Sequence, residues 1–337
     1  MSDIQINSNN VDLSNINNST HEFFQIIKNF DKMDIKEVEP TTKNIKEYIF
    51  EGDLSIVIDE LFNLIFNKLN EGVDEIVIKQ HVLNYINHNH KIILQEIFNW
   101  LLINHQNNSN SIYLFGYFNY HGIGTDFNKK KAIELYHKSA ELENYVAQLD
   151  LAYIYIHGKG VNKNYDLAFK LSKKLAEKGI PNAINRLGYC YNNGIGTDVD
   201  KQKAFELYKK AADLGNSTGI SNLGYCYKNG FGTNTNIQKA FDLYQKAADF
   251  ENSFGINNLG SCYDNGIGTD FDEQKAFELY QKAANLGNYK SQYNVALIYE
   301  YGDVVEKDIE LAIYWYKKSA EQGYKHAQKK LDELLEE

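Results

Sequence analysis

A period of 36 residues constrains this chain more than any other feature. Gly116, Ala152, Gly188, Gly224, Gly260 and Ala296 follow one another at a constant spacing of 36 without an insertion, so six units share one register. A glycine pair recurs in the same frame as Gly122/Gly124, Gly158/Gly160, Gly194/Gly196, Gly230/Gly232 and Gly266/Gly268. It loses its second member only where Gly302 is followed by Asp303 and Val304. Such strict self-similarity marks stacked supersecondary units, each too small to bury its own apolar face. Repetition also decides what "NLGYCYKNGFGT" (222–233) is for. A loop that occurs five times is a structural joint, and it lacks the Lys-Ser/Thr of a phosphate loop.

Each unit reads as two helices. In the third, Ala183, Leu187, Cys190 and Tyr191 follow the spacing of one helical face, and Gly194 stands where a left-handed cap ends the helix. After a short loop, Asn128, Asn164, Asp200, Asn236, Asp272 and Asp308 share one phase, and all six can cap the turn that follows. The second helix is then "KQKAFELYKKAADLG", with Ala204, Leu207, Tyr208, Ala211 and Ala212 on one stripe and Gly215 closing it. Alanine fills the phases of Ala204 and Ala212 in all six units, and Gly or Ala fills the phase of Gly188. Small residues held at helical positions predict close packing, since a helical glycine costs about 1 kcal/mol against alanine.

The stretches "AINRLGYCYNNGIGTDVDKQKAFELYKKAADLGN" (183–216) and "GINNLGSCYDNGIGTDFDEQKAFELYQKAANLGN" (255–288) resemble the Sel1-like repeat, a relative of the tetratricopeptide repeat. The resemblance implies an all-α, right-handed α-solenoid of helix-turn-helix repeats. It also implies a non-catalytic scaffold or adaptor whose concave groove holds a protein or peptide segment, in signalling or quality-control complexes. The "GIGT" and "KAFELYQKAA" forms are similar to expanded fungal members that accompany protein kinase-like domains. That likeness makes a protein kinase a candidate partner, and a regulatory module of a kinase fusion the alternative function. A third reading follows from a branch with two cysteines per unit, some members of which hydrolyse β-lactams. This chain has three cysteines in all and at most one per unit, so that branch's framework is missing.

The expected organisation is a disordered leader over 1–20, a small helical N-terminal domain over 21–107, six repeats over 108–326 and a capping helix over 327–337. Within the N-terminal domain, helical patterns fall near 22–30, 42–51, 53–70, 73–88 and 90–105. The last would cover the first unit with Ile97, Trp100 and Ile103. The start of the chain lacks the basic and apolar segments of a secretory signal, no apolar run approaches a membrane span, and cysteines are few; a cytoplasmic location is expected. The net charge of −10, with Arg186 the only arginine, argues against nucleic acid, because phosphate neutralisation supplies most of that affinity.

No catalytic, cofactor or metal site is predicted. Cys190, Cys226 and Cys262 share a phase filled elsewhere by Phe118, Ile154 and Ile298, so they read as buried apolar residues. His81, His88 and His90 lack cysteine or a well-spaced carboxylate to complete a metal site. His121 and His157 share a phase beside the glycine and read as polar helix ends.

Helix geometry places the phases of Asn185, Tyr189 and Asn192 opposite Leu187, with Arg186 at the flank; the resemblance to related solenoids implies that this face lines the groove. The candidate partner-binding residues are Tyr153, Asn185, Arg186, Tyr189, Asn192, Asn222, Tyr225, Lys228, Asn258, Asp264 and Asn294. Asn222, Asn258 and Asn294 would offer side-chain amides to an extended peptide backbone. The same face is apolar in the first two units, at Tyr113, Tyr117, Leu149 and Ile156. Two readings of that patch are open: the N-terminal helices fold back over it, or it is itself an aromatic-rich peptide site.

Overall fold

The computed structural model describes residues 51–88, 94–106 and 108–336. The expected leader, the helix over 22–30 and nearly all of that over 42–51 lie outside the described residues. Ile56 to Glu337 form one compact unit. Among the described residues all regular structure is helical, in sixteen helices. Three precede the array: α1 (Glu51–Asn70), α2 (Glu75–His88) and α3 (Leu94–Asn104). The six units follow as pairs: α4 (Ser109–His121) with α5 (Lys129–Glu141), α6 (Tyr145–His157) with α7 (Tyr165–Glu177), α8 (Pro181–Asn193) with α9 (Lys201–Asp213), α10 (Ser217–Asn229) with α11 (Ile237–Asp249), α12 (Ser253–Asn265) with α13 (Glu273–Asn285), and α14 (Tyr289–Tyr301) with α15 (Ile309–Glu321). The chain closes on α16 (Lys325–Glu336). Successive helices pack on one another along the whole array, which is an α-solenoid of helical hairpins.

Local chemistry sets the length of each helix. All six expected caps of the second helices work: the side chains of Asn128, Asn164, Asp200, Asn236, Asp272 and Asp308 accept from the amide three residues on. The first helices carry a cap series of their own at the same spacing, Asn108, Asn144, Asn216, Asn252 and Asn288. In the third unit Ile180 stands at that place and Pro181 opens the helix instead, its missing N–H costing nothing at a first turn. Each cap contributes about 1 kcal/mol, so caps fix where helices begin while burial supplies most of the stability.

The packing explains the repeated small residues. Ala132, Ala168, Ala204, Ala240, Ala276 and Ala312 are all 0–1% exposed. The deepest phase of the following turn is that of Ala211, not Ala212: Ser139, Leu175, Ala211, Ala247, Ala283 and Ser319 are completely buried. A Cβ on Gly255 would stand 2.5 Å from that of Ala247, so this phase is where one unit meets the next. Gly188 makes room for a ring more than for a neighbouring backbone, since a Cβ there would lie 2.9 Å from Tyr208 Cδ1. The glycine pair divides its work. Gly194 ends α8 in the left-handed conformation, with φ 67°. Gly196 lies so close to the preceding unit that a Cβ would come within 2.4 Å of the Tyr165 carbonyl oxygen.

Before the array, Ile97 and Leu101 are fully buried, and α3 lays the rings of Phe98 and His105 against Phe115. Ile103, expected to join that face, is 71% exposed. The packed face of α3 runs through residues 97, 98, 101 and 105, which leaves position 103 on the outer side.

Candidate functional site

The face predicted to line the groove is narrower than helix geometry alone suggests. First helices of the third, fourth and fifth units touch their neighbours, so the phase of Asn185 falls in the seam between them. Ser221 and Asn257, at that phase, are 2% and 6% exposed. Asn185 is itself buried, and its carbonyl accepts from the Asn222 amide at 2.8 Å. The Asn258 amide donates to Ser221 Oγ at 3.3 Å, and Ser291 Oγ donates to Asn257 Oδ1 at 2.8 Å. The supposed peptide-binding amides of Asn222 and Asn258 therefore stitch adjacent helices together, and Asn185 does not face a partner. Asn294 is half-buried.

In the third and fourth units part of this face is exposed. Tyr189 and Tyr225, one repeat apart on α8 and α10, are 37% and 45% exposed. Among the other candidates Lys228 is half-buried, Asp264 is exposed and accepts from the Tyr280 hydroxyl at 3.2 Å, and the Asn192 carbonyl and side-chain oxygens accept from Lys201 Nζ at 2.6 and 2.9 Å.

The apolar end is covered by the hairpin of α1 and α2. Phe62 meets Tyr113 edge-on at 5.8 Å, Lys79 Nζ donates to the His121 carbonyl at 2.8 Å, and Glu75 pairs with Lys159 at 3.5 Å. Tyr113, Tyr117, Leu149 and Ile156 are 0–4% exposed, so this patch is part of the interior; the hairpin lies against Tyr113 and the end of its helix, whereas Leu149 and Ile156 are buried among residues of the second and third units. His121 is no solvent-facing helix end. Its ring lies 4.1 Å from that of Tyr117, and burial pushes its pKa down to about 4, against the opposing pull of Glu75. His157, at the same phase, is exposed as a polar helix end would be; partial desolvation, with Arg186 and Lys159 adding to it, lowers its pKa to about 4.

Beneath the hairpin lie Asp150 and Arg186, two groups of opposite sense that influence each other electrostatically without a direct ion pair and that composition and periodicity did not single out together. Tyr113 donates to Asp150 Oδ2 at 2.9 Å, and burial pushes the Asp150 carboxyl up to about 7 although that bond and Arg186 both oppose the shift. Arg186 sits 5.3 Å from the Tyr153 ring, and its Nη2 donates to Asn182 Oδ1 at 2.9 Å. Its Nε and Nη1 are buried and make no hydrogen bond within the described residues. One signal was available: Asp150 precedes the only arginine by one period, so opposite charges occupy the same phase of consecutive units.

The thiols of Cys190, Cys226 and Cys262 are free and at most 1% exposed, and burial pushes those of Cys190 and Cys226 up to about 11. Among the described residues no group of three or more His, Cys, Asp or Glu is placed to hold a metal ion, and no helix is long and apolar enough to cross a membrane.

The Sel1 repeat profile matches six times, over residues 109–144, 146–180, 181–216, 218–249, 253–288 and 290–324, which together make up more than half of the chain. The chain belongs to the Sel1 repeat family. Proteins of this family generally act as protein-interaction scaffolds and are typically non-catalytic. Among solved structures, a Sel1 repeat protein from Oxalobacter formigenes is 27% identical with a TM-score of 0.54, over 70% of this chain and 94% of that one. A protective antigen of uropathogenic Escherichia coli with the same repeat fold is 28% identical with a TM-score of 0.48, over 81% of this chain and 59% of its own length. No curated protein gives a significant match.

Proposed function

We propose that this Sel1 repeat protein is a non-catalytic scaffold that holds a partner protein segment in the open middle of its groove, between Tyr189 on α8 and Tyr225 on α10. One observation carries the reading. The phase that is buried as Tyr117 and half-buried as Tyr153 under the hairpin emerges into solvent as Tyr189 and Tyr225. Two tyrosines on consecutive rigid helices offer large amphipathic contact area at small entropic cost, the composition that dominates binding energy at interfaces. Lys228 and Asp264 follow on the next turn of α10 and of α12, one charge of each sign at the same phase of consecutive units. No feature of the described residues favours the kinase-linked reading over this one.

The test is a comparison of proteins retained by the wild type and by a Tyr189→Ala/Tyr225→Ala variant of unchanged helicity. The variant should lose at least one partner that the wild type retains. Identical partner sets would remove the groove from the account.

A further inference from the structure

The turn between α1 and α2 reaches across the starts of three array helices, and its contacts have one chemical sense. The last carbonyls of α1 have no partner within their own helix. Two of them accept from the array, Asn182 Nδ2 donating to the Leu69 carbonyl at 2.7 Å and Asn216 Nδ2 to that of Asn70 at 2.9 Å; just past the helix the Ser217 amide donates to the Glu71 carbonyl at 2.9 Å, and within the turn the Gly72 amide donates to that of Leu69 at 3.1 Å. The Gly72 carbonyl accepts from Ser217 Oγ at 2.9 Å, Thr218 Oγ1 at 3.0 Å and Asn252 Nδ2 at 3.2 Å. Asp74 then takes the Ser253 amide, the first of α12, on its carboxylate at 2.8 Å. Gly72 has φ 76°, and a Cβ on it would stand 2.8 Å from the Thr218 amide nitrogen, so the turn is seated against the array backbone.

The electrostatics run the same way. The carbonyl end of α1 carries the negative pole of its dipole, and the starts of α8, α10 and α12 carry positive poles. Asp74 adds a carboxylate at the start of α12, while Glu75 reaches Lys159, past the end of α6. Arg186, tied to the turn through Asn182 and the Leu69 carbonyl, has its Nε and Nη1 buried beside this row without a partner among the described residues. At the starts of α8, α10 and α12 every contact with the turn has the array donating and the turn accepting.

We infer that the starts of α8, α10 and α12 form a receiving site for an acidic helix end, and that the chain's own α1–α2 turn occupies this site until a partner segment of the same chemistry displaces it. The competing segment presents the terminal carbonyls of a helix followed within a few residues by Asp, as Leu69 to Asp74 do. The existence of an outside competitor rests on the scaffold function proposed above. Occupancy by the hairpin does not, and it can be measured with no partner present. An internal occupant lowers the apparent affinity for any competitor by the fraction of chains whose site is open.

The probe is a labelled peptide of residues 56–88, titrated with the full chain and with a full-chain Gly72→Val/Asp74→Lys variant in which the turn is unseated. The variant should bind the peptide at least about tenfold more tightly than the wild type does. A peptide carrying Asp74→Lys should lose that binding. Equal affinity of the two chains, or equal binding of the two peptides, overturns the inference. Amide exchange on the wild type gives a second reading that does not require the variant to fold. The Ser217 and Ser253 amides occupy helix starts that have no partner within the helix, and here both donate to the turn. They should exchange at least about tenfold more slowly than the Tyr145 amide at the same position of α6. Exchange as fast as that of Tyr145 would show that the turn is not seated.

Discussion

Substituting the second glycine of the pair tests the stacking of the units. Gly196 has φ 65°, and a Cβ on it would stand 2.4 Å from the Tyr165 carbonyl oxygen and 2.7 Å from Phe169 Cβ, both on α7 of the preceding unit. Gly215 offers a control within the same hairpin, because it has φ 83° and nothing within 4 Å of the added carbon. Both Gly196→Ala and Gly215→Ala carry the cost of an L-residue in the left-handed region, about 1–2 kcal/mol. Only Gly196→Ala adds a clash with a neighbouring backbone, and overpacking of that kind costs about 1–3 kcal/mol more. For an array of this size each kcal/mol moves the melting midpoint by about 2–4 °C. The two variants should therefore differ by several degrees in a calorimetric scan. The clash lies between units, and array stability depends on nearest-neighbour interfaces, so Gly196→Ala should also broaden the transition while Gly215→Ala leaves its width unchanged. Equal shifts in the two variants would refute the argument, leaving Gly196 needed only for its backbone angle.

Two further predictions concern buried titrating groups. With their thiols raised to about 11 and shut from solvent, Cys190 and Cys226 should resist iodoacetamide at pH 8 in the native protein and react fully in urea; rapid native labelling would place them outside the core. His121 is lowered from 6.5 to about 4 on folding, so the unfolded chain binds the extra proton between those values and stability is lost as pH falls through that window. Asp150, raised from 3.8 to about 7, acts in the opposite direction. A His121→Gln variant should therefore lose less of its melting midpoint than the wild type between pH 7 and pH 4, and parallel profiles would show that His121 titrates as an exposed histidine.

Much of the candidate site was legible, but not its limits. Tyr189 and Tyr225 are exposed on the side opposite Leu187 that helix geometry assigns them, because that side depends only on the rotation between successive residues. Asn185 and Asn222 were misjudged because the curvature of the array, which brings neighbouring first helices together, is a sum of small rotations between units that no single unit displays. His121 was misread for a different reason, since its burial comes from an element outside the repeat.

The sequence alone determined the hairpins and their succession. Caps, left-handed glycines and apolar stripes act within a few residues, and identical units meet their neighbours one period away, so a single spacing encodes every such contact. The α1–α2 hairpin obeys no such rule. Its bonds join Leu69 to Asn182 and Gly72 to Asn252, separations of 113 and 180 residues, between a segment outside the period and helix starts within it. Only the tertiary structure determined that the donors at those starts are met by the chain's own acceptors, because complementarity between distant, non-repeating surfaces leaves no periodic trace in the chain.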